Sequence, residues 1–487
     1  MLKDREKVWY AAFKAKDSRF DGRFFVGVSS TGIYCRPVCR AKLPKAENCT
    51  FYSTAAKAEQ AGYRPCLLCR PELAPGNAPV DAVASLARRA ARCLEEDCGN
   101  EQNIPALAKR LGCSDRHLRR AFAAEYHVSP VQYLQTCRLL LAKNLLTDTS
   151  LPVIDVAMAA GFGSLRRFND LFKKQYRFSP TAMRKQAAGD SNQDVSVTLA
   201  LGYRPPYQWK QMLDFLAGRA ISGVESIVDG EYCRTVHFSG KSANHLYGWI
   251  KVGHLPKKNA LAVTVAPALL PALSRVLACV RHQFDLYCDP GAVYETLASM
   301  NHIRPGLCVP GVRLPGCFDT FEMAVRAVLG QQITVKAAGT LAARFVQACG
   351  TPVGTGIEGL THLFPTAEDI LAIDGPVADH LGPLGITGSR ANTILELAKM
   401  LAQGDIDFRF CADPEMEIKK LMAIPGIGPW TAQYIAMRAM GWPDAFPHTD
   451  YGVKKALSPR TLDEIVDLAE SWRPWRSYAT ASLWNAL

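Results

Sequence analysis

Four cysteines stand in two close pairs, Cys35-Arg36-Pro37-Val38-Cys39 and Cys66-Leu67-Leu68-Cys69, with 26 residues between the pairs. Thiolates at this spacing hold a tetrahedral Zn²⁺, and the binding energy can fold a small module outright. A coordinated sulfur is also kept as thiolate at neutral pH, so it remains a nucleophile. Far along the chain, Ile424-Pro425-Gly426-Ile427-Gly428-Pro429-Trp430-Thr431-Ala432 is followed by Asp450, 22 residues after Gly428. Two glycines in a short apolar turn let the backbone approach a ligand closely and aim its N–H groups outward, as at phosphate-binding turns before helices. A lone carboxylate beyond such a turn can stabilise positive charge developing on a sugar held by its phosphate. Grip and carboxylate together suggest an enzyme that grips a DNA backbone and cuts a base from its deoxyribose.

The elements that must position these residues fall into modules. A chain of 487 residues with 48% hydrophobic and 21% charged residues is an ordinary globular protein, long enough for about three domains. Its charged N-terminus, Met1-Leu2-Lys3-Asp4-Arg5-Glu6-Lys7, is no signal peptide, and no run of 18 apolar residues occurs, which implies an intracellular protein without a membrane. Sixteen scattered cysteines then read as thiols and metal ligands, not disulfides. Residues 1–188 hold 31 Lys and Arg against 17 Asp and Glu, whereas the remainder holds 26 against 28. All of the excess positive charge therefore lies in the N-terminal part, which points to a polyanionic partner there. Turn-rich or polar breaks at 74–79 and 189–194 divide the chain into a cysteine-bearing module, a basic helical module and a long C-terminal part. That last part opens with β-prone segments around 194–199, 232–238 and 260–265 and turns helical from Leu270, giving a small antiparallel sheet followed by a helical body.

The basic module contains a repeat. Phe122, Tyr126, Val128, Ser129 and Pro130 recur 50 positions later as Phe172, Tyr176, Phe178, Ser179 and Pro180. Each unit reads as helix, Gly-containing turn and helix, with Ser114 and Ser164 as N-caps of the second helices. Arg116, Arg119 and Arg120 lie early in one second helix, and Arg166 and Arg167 early in the other, where a recognition helix presents residues to base edges and phosphates. The pair resembles the AraC-type DNA-binding domain over about residues 82–187.

The surroundings of the cysteines, Thr31-Gly32-Ile33-Tyr34-Cys35-Arg36-Pro37-Val38-Cys39-Arg40, Glu47-Asn48-Cys49-Thr50-Phe51-Tyr52 and Gly62-Tyr63-Arg64-Pro65-Cys66, closely resemble the N-terminal module of the Ada adaptive-response regulator. The resemblance implies one zinc per chain on Cys35, Cys39, Cys66 and Cys69, with Cys35 taking a methyl group irreversibly from a DNA methylphosphotriester. It implies phosphate contacts at Lys42 and Arg64, with Lys42 standing where the family commonly has Arg. No Pro-Cys-His-Arg sequence occurs, so the second methyltransferase domain of Ada is expected to be absent.

From about Val195 onward the chain resembles 3-methyladenine DNA glycosylase II, a member of the helix-hairpin-helix superfamily. The resemblance is carried by the hairpin and Asp450 and by Pro205-Pro206-Tyr207, Ala217-Gly218-Arg219-Ala220, Arg304-Pro305-Gly306-Leu307, Leu314-Pro315-Gly316-Cys317 and Arg473-Pro474-Trp475-Arg476-Ser477-Tyr478-Ala479. It implies excision of alkylated bases, with Asp450 stabilising the oxocarbenium-like sugar or activating water. It further implies Trp430, Tyr434 and Trp484 around the flipped base, Gln332 as the wedge, and Gly426 and Gly428 on the phosphate backbone, with a monovalent cation at the turn. Trp430 fills the slot that holds a Schiff-base Lys in bifunctional members, so hydrolysis without strand cleavage is expected. Thr449, Gln332 and Asn485 depart from the pattern.

The expected fold is thus multidomain α+β and mainly helical: a zinc module at 1–76, a double helix-turn-helix domain at 80–188, a β-rich subdomain at 194–270 and a helix-hairpin-helix body at 271–487. The resemblances imply a monomeric bacterial cytoplasmic protein whose partners are alkylated and promoter DNA and RNA polymerase. Two competing readings are a glycosylase merely tethered by its zinc module, and a regulator whose glycosylase domain is inactive.

Overall fold

The computed structural model describes residues 2–16, 24–52, 55–69, 71, 79–98, 103–187, 197–238, 246–409 and 414–487. The expected breaks at 74–79 and 189–194 lie outside these, Pro79 excepted. The chain divides into two compact units, residues 1–94 with 102–135, and residues 95–101 with 136–487. One helix-turn-helix unit therefore groups with the cysteine module and the other with the C-terminal body, a division different from the boundary read at 188.

The first unit begins with α1 (Leu2–Ala15) and a sheet of β1 (Phe25–Val28), β2 (Ile33–Cys35), β3 (Cys49–Tyr52) and β4 (Arg64–Pro65), with α2 (Ala55–Gln60) before the last strand. The spatial order is β3-β1-β2-β4, and the β2–β4 pair is parallel, Ile33 opposite Arg64 and Tyr34 opposite Pro65. This pairing brings the two cysteine pairs together, since Cys35 ends β2 and Cys66 follows β4, with the Cys66 N–H donating to the Tyr34 carbonyl at 3.0 Å. Trp9, Phe24 and Phe51 pack around one another at 5.2–5.9 Å between ring centroids beside the four thiols. So small an apolar cluster is a weak core by itself.

After α3 (Pro79–Glu96) come the two helical hairpins. The first is α4 (Ile104–Arg110) and α5 (Asp115–Tyr126), followed by α6 (Pro130–Asp148). The second is α7 (Val153–Ala159) and α8 (Leu165–Tyr176), followed by α9 (Pro180–Ala187). The repeat extends to the caps. Ser114 accepts from the His117 N–H at 3.2 Å and Ser164 from the Arg167 N–H at 3.4 Å, which starts both second helices as expected. Both end on a left-handed residue, His127 and Arg177. The Phe122–Tyr126 and Phe172–Tyr176 rings meet at the same 4.7 Å.

The second unit continues into an antiparallel sheet of β5 (Val197–Gly202), β6 (Glu225–Val228), β7 (Glu231–Phe238), β8 (Leu246–Leu255) and β9 (Ala260–Val265), with α10 (Trp209–Ala217) between the first two strands. Its order is β5-β9-β8-β7-β6. β7 and β9 coincide with segments read from alternation and β5 overlaps the segment at 194–199, whose first three residues lie outside the described ones; β6 and β8 were not among them. The helical body runs through α11 (Leu273–Gln283), α12 (Pro290–Leu297), α13 (Thr320–Leu329) and α14 (Val335–Cys349). A two-stranded ribbon of β10 (Thr351–Pro352) and β11 (His362–Leu363) then leads to α15 (Ala367–Leu371), α16 (Val377–Leu381) and α17 (Gly388–Gln403). The body ends with α18 (Pro414–Met422), α19 (Pro429–Arg438), α20 (Tyr451–Leu457), α21 (Leu462–Glu470) and α22 (Arg476–Asn485). At its centre α13 is almost wholly buried, and Phe321, Val325, Leu329, Phe345, Ile394, Leu421, Ile435 and Trp472 belong to one continuous core.

Sheet and body are locked by a buried ionic cluster. Arg234 of β7 pairs with Glu322 at 2.6 Å, and Arg326 pairs with both Glu225 and Glu322 at 2.8 Å. Two guanidiniums matched to two carboxylates leave no net charge buried, the condition under which such a cluster is tolerated. Among the described residues no helix is long and apolar enough to cross a membrane.

Candidate functional site

The four sulfurs of Cys35, Cys39, Cys66 and Cys69 lie within 4.8 Å of one another and all four residues are buried. Cys39 and Cys66 stand 4.0 Å apart. A tetrahedral Zn²⁺ with bonds of about 2.3 Å needs sulfurs roughly 3.8 Å apart, so the four thiols fit one ion. The turn that closes the first pair is made by the Cys39 N–H on the Arg36 carbonyl. The Arg36 N–H donates to the Cys69 sulfur at 3.4 Å, as the ligating thiolates of such knuckles require. Cys49 stands outside the quartet, half-buried, its thiol directed at the Lys45 carbonyl. Lys42 and Arg64 are both exposed, and Arg64 lies on β4 two residues before Cys66.

On the helical hairpins Arg116, Arg119, Arg120, Arg166 and Arg167 are all exposed near the starts of α5 and α8. Two of them already have local partners. Arg119 is held by Asp115 at 2.9 Å and Arg120 lies 3.1 Å from the His117 ring, whereas an exposed i,i+4 pair of this kind is worth only about 0.3–0.5 kcal/mol and yields readily to a phosphate.

In the C-terminal body, α18 and α19 form the hairpin around the Gly426–Gly428 turn. Gly426 has φ +91°, and a Cβ there would sit 2.3 Å from the Thr393 hydroxyl. Both the backbone conformation and the space therefore demand glycine. Thr393 lies on α17 and bonds the Pro425 carbonyl at 2.8 Å, while the Gln331 amide donates to the Gly426 carbonyl at 2.8 Å, so two neighbouring elements brace the turn. Gly428 is the exposed N-cap of α19 and supplies no side-chain cap, which leaves the first helical N–H groups free for an anion. Gly426→Ala is expected to displace this turn, lowering the melting temperature and weakening binding to duplex DNA by at least tenfold in a fluorescence-anisotropy titration. Unchanged DNA affinity would show that the turn is not a backbone grip.

Asp450 caps α20. One carboxylate oxygen accepts from the backbone N–H groups of Gly452 (2.8 Å) and Val453 (3.2 Å) and from the Trp484 indole (2.9 Å). The other accepts from the Trp430 indole at 2.9 Å. Four donors fix one carboxylate, and both indole N–H groups are spent on Asp450. Gly452 is part of this arrangement, because a Cβ there would lie 2.8 Å from the Trp484 ring. Trp430 stacks on Tyr434 at 5.1 Å and 16°.

These residues line one cleft of about 1280 Å³, together with Gly426, Gly428 and Gln332. Gln332 is exposed at the turn after α13 in a left-handed conformation, φ 57°, so it projects from a backbone that few side chains adopt without cause. Thr449 also lines the cleft. Asn485 does not; its amide reaches Gln211 at 3.1 Å.

The site residues read from the sequence did not include the three arginines of the cleft, Arg219, Arg326 and Arg438. Arg438 donates to the Tyr434 hydroxyl at 2.8 Å and to the carbonyls of Pro315 and Gly316. Its guanidinium lies 5.6 Å from the Tyr434 ring centre, and that of Arg219 lies 5.9 Å from Trp484 and 3.8 Å from Phe215. Part of the attraction of these aromatic faces for a cation is therefore already met by the protein's own side chains. Burial would raise the Tyr434 phenol, but the guanidiniums of Arg438, Arg219 and Arg326 outweigh it and hold the phenol below the usual tyrosine range.

A hairpin with free helical N–H groups, an aromatic cleft and one fixed carboxylate, in a chain that also carries paired basic helical hairpins and a four-thiol knuckle, defines a class: a DNA glycosylase fused to a DNA-binding regulator. Comparison with known families agrees segment by segment. Residues 8–72 match the metal binding domain of Ada, 107–186 a helix-turn-helix domain, 198–319 the AlkA N-terminal domain, and 325–461 the HhH-GPD superfamily of base excision DNA repair proteins. A probable bifunctional transcriptional activator/DNA repair enzyme AlkA of Mycobacterium tuberculosis is 36% identical over 98% of this chain and 96% of its own. DNA-3-methyladenine glycosylase 2 of Escherichia coli is 36% identical over 58% of this chain and 95% of its own. The bifunctional activator/repair enzyme Ada of the same organism is 39% identical over 26% of this chain and 34% of its own. The chain belongs to the family of AlkA-type bifunctional transcriptional activator/DNA repair enzymes, in which an Ada-like zinc-binding and helix-turn-helix half precedes the glycosylase.

Proposed function

We propose that the chain senses alkylated DNA through Cys35, binds promoter DNA through α5 and α8, and excises alkylated bases from duplex DNA through Asp450. The observation that carries the repair half is the convergence of four N–H donors on Asp450 at the edge of an aromatic cleft. The target nucleotide leaves the stack at a cost of a few kcal/mol. The free N–H groups at the start of α19 hold the neighbouring phosphate, and Gln332 fills the vacated space. Loss of the base leaves a cationic sugar, which the fixed carboxylate stabilises, or toward which it directs a water. Trp430 occupies the hairpin position where a lysine would form a Schiff base, so the product is an abasic site with an intact strand.

In the sensor half, Cys35, Cys39, Cys66 and Cys69 would hold the zinc, which keeps its sulfur ligands ionised when bound. The Cys35 sulfur attacks the methyl carbon of a methylphosphotriester. The carbon–oxygen bond breaks, its electron pair stays on the phosphate, and Cys35 becomes a thioether. The site loses one negative charge, repulsion from phosphates falls, and promoter affinity rises. Lys42 and Arg64 contact the flanking phosphates. The protein would act in the cytoplasm as a monomer, touching RNA polymerase once bound. Backbone carbonyls of the hairpin turn would hold a monovalent cation beside the phosphate. The test of the repair half is chromatography of bases released from methylated duplex DNA: free 3-methyladenine with no strand nicking is expected, and nicking without an added lyase would contradict the assignment.

A further inference from the structure

The two helical hairpins repeat in sequence but not in what supports them. In the first, α4 starts on Asn103, whose side chain accepts from the Ala106 N–H at 3.3 Å, and its last turn carries Lys109 and Arg110. In the second, α7 starts on Pro152 with no side-chain cap and has no basic residue in its last turn. A helix of two turns without caps is marginal in water. What α7 has instead is the glycosylase, for it packs against the turn Pro267–Ala272 that joins β9 to α11.

The end of α3 shows the same dependence. Glu95, Glu96 and Asp97 follow one another at the C-terminal end of that helix, where the peptide dipoles already place negative charge. Glu96 is also buried, and a buried carboxylate requires a cation. Arg409, between α17 and α18, supplies it at 3.0 Å and donates to the Cys279 thiol of α11 at 3.6 Å. Arg275 of α11 meets Asp97 at 3.8 Å. Arg138 of α6 donates to the Cys98 carbonyl at 2.7 Å, which ties the helix leading into the second hairpin to the residues just after α3. Glu96, Asp97, Cys98, Arg138 and α7 all belong to the same compact unit as the glycosylase body.

We propose that these contacts form an intramolecular docking surface through which the glycosylase body holds the second helix-turn-helix unit, so that DNA binding through α8 depends on the repair domain. The acidic end of α3 is matched by arginines of the body, and the poorly capped α7 is matched by the body's Pro267–Ala272 turn. Loosening the joint frees α7, and with it the start of α8 where Arg166 and Arg167 stand.

The inference rests on the reading of α8 as a DNA-contacting helix, and the experiment keeps the two apart. Amide hydrogen exchange and binding to an unmethylated duplex of random sequence are measured on four full-length proteins. These are the unsubstituted chain, Arg409→Glu, the charge swap Glu96→Arg with Arg409→Glu, and Arg166→Ala with Arg167→Ala. Arg409→Glu sets a second carboxylate against Glu96. It is expected to speed exchange across residues 153–187 on the order of a hundredfold, to weaken DNA binding about tenfold and to flatten its salt dependence. Base release from methylated duplex should continue, showing that the body stays folded, and the charge swap should restore both exchange protection and DNA affinity. Unchanged exchange in Arg409→Glu, unchanged DNA affinity despite faster exchange, or a swap that restores neither property would overturn the proposal. If Arg166→Ala with Arg167→Ala also leaves DNA affinity and its salt dependence unchanged, the reading of α8 falls with it. If that variant weakens binding, the reading of α8 stands and the proposal falls alone.

Discussion

Asp450→Asn is expected to lower the rate of base release roughly a thousandfold while leaving the glycosylase body folded. Asparagine is as good an N-cap as aspartate, so the bonds from the Gly452 and Val453 N–H groups to one side-chain oxygen can survive. The α20 helix should therefore start where it does now. What the substitution removes is the negative charge, and it turns one of the two acceptors used by Trp430 and Trp484 into a donor. A loss of four kcal/mol in transition-state stabilisation corresponds to about three decades in rate, within the range that one preorganised electrostatic contact supplies. Single-turnover kinetics on methylated duplex DNA, with circular dichroism as the folding control, measures it. An Asn variant within tenfold of the original rate would move the catalytic assignment away from Asp450.

The second large effect belongs to the cysteine module. Cys69→Ser should abolish stoichiometric zinc binding and melt the sheet of β1 to β4, because the apolar cluster of Trp9, Phe24 and Phe51 is too small to replace a metal worth on the order of 10 kcal/mol. The glycosylase core contains none of these residues, so base release should continue. Zinc content by atomic absorption, protease sensitivity of the N-terminal residues and glycosylase rate, taken on one preparation, read all three consequences. Full zinc occupancy in the variant would remove Cys69 from the ligand set. Loss of base release along with zinc would show that the two halves do not fold separately.

What the sequence made legible was local or carried by a family pattern. The cysteine pairs announce themselves because ligand spacing within each knuckle is a property of three or four consecutive residues, and the parallel pairing of β2 with β4 then only has to bring the knuckles together. Serine caps at 114 and 164 and the strand at Ala260–Val265 were equally accessible, each being fixed by a few neighbours. The guanidiniums of the cleft were hidden, although Arg219 lies in a stretch that carries the resemblance. Arg219, Arg326 and Arg438 come from three elements more than a hundred residues apart in sequence, and nothing in their local context distinguishes them from surface arginines. The strand β8 was missed because it is only partly buried, contains Gly248 and Gly253, and shows no clean alternation. Gly452 could not be read either, since the side chain that requires it, Trp484, lies 32 residues away.

The central claim is that one chain both records alkylation and repairs it, and intact and peptide mass spectrometry after incubating the zinc-loaded protein with methylphosphotriester-containing duplex tests it most directly. The account predicts one added methyl group per chain, localised to Cys35, with zinc retained. An unmodified Cys35 with zinc still in place would contradict it, and would leave a glycosylase that its N-terminal modules merely hold on DNA.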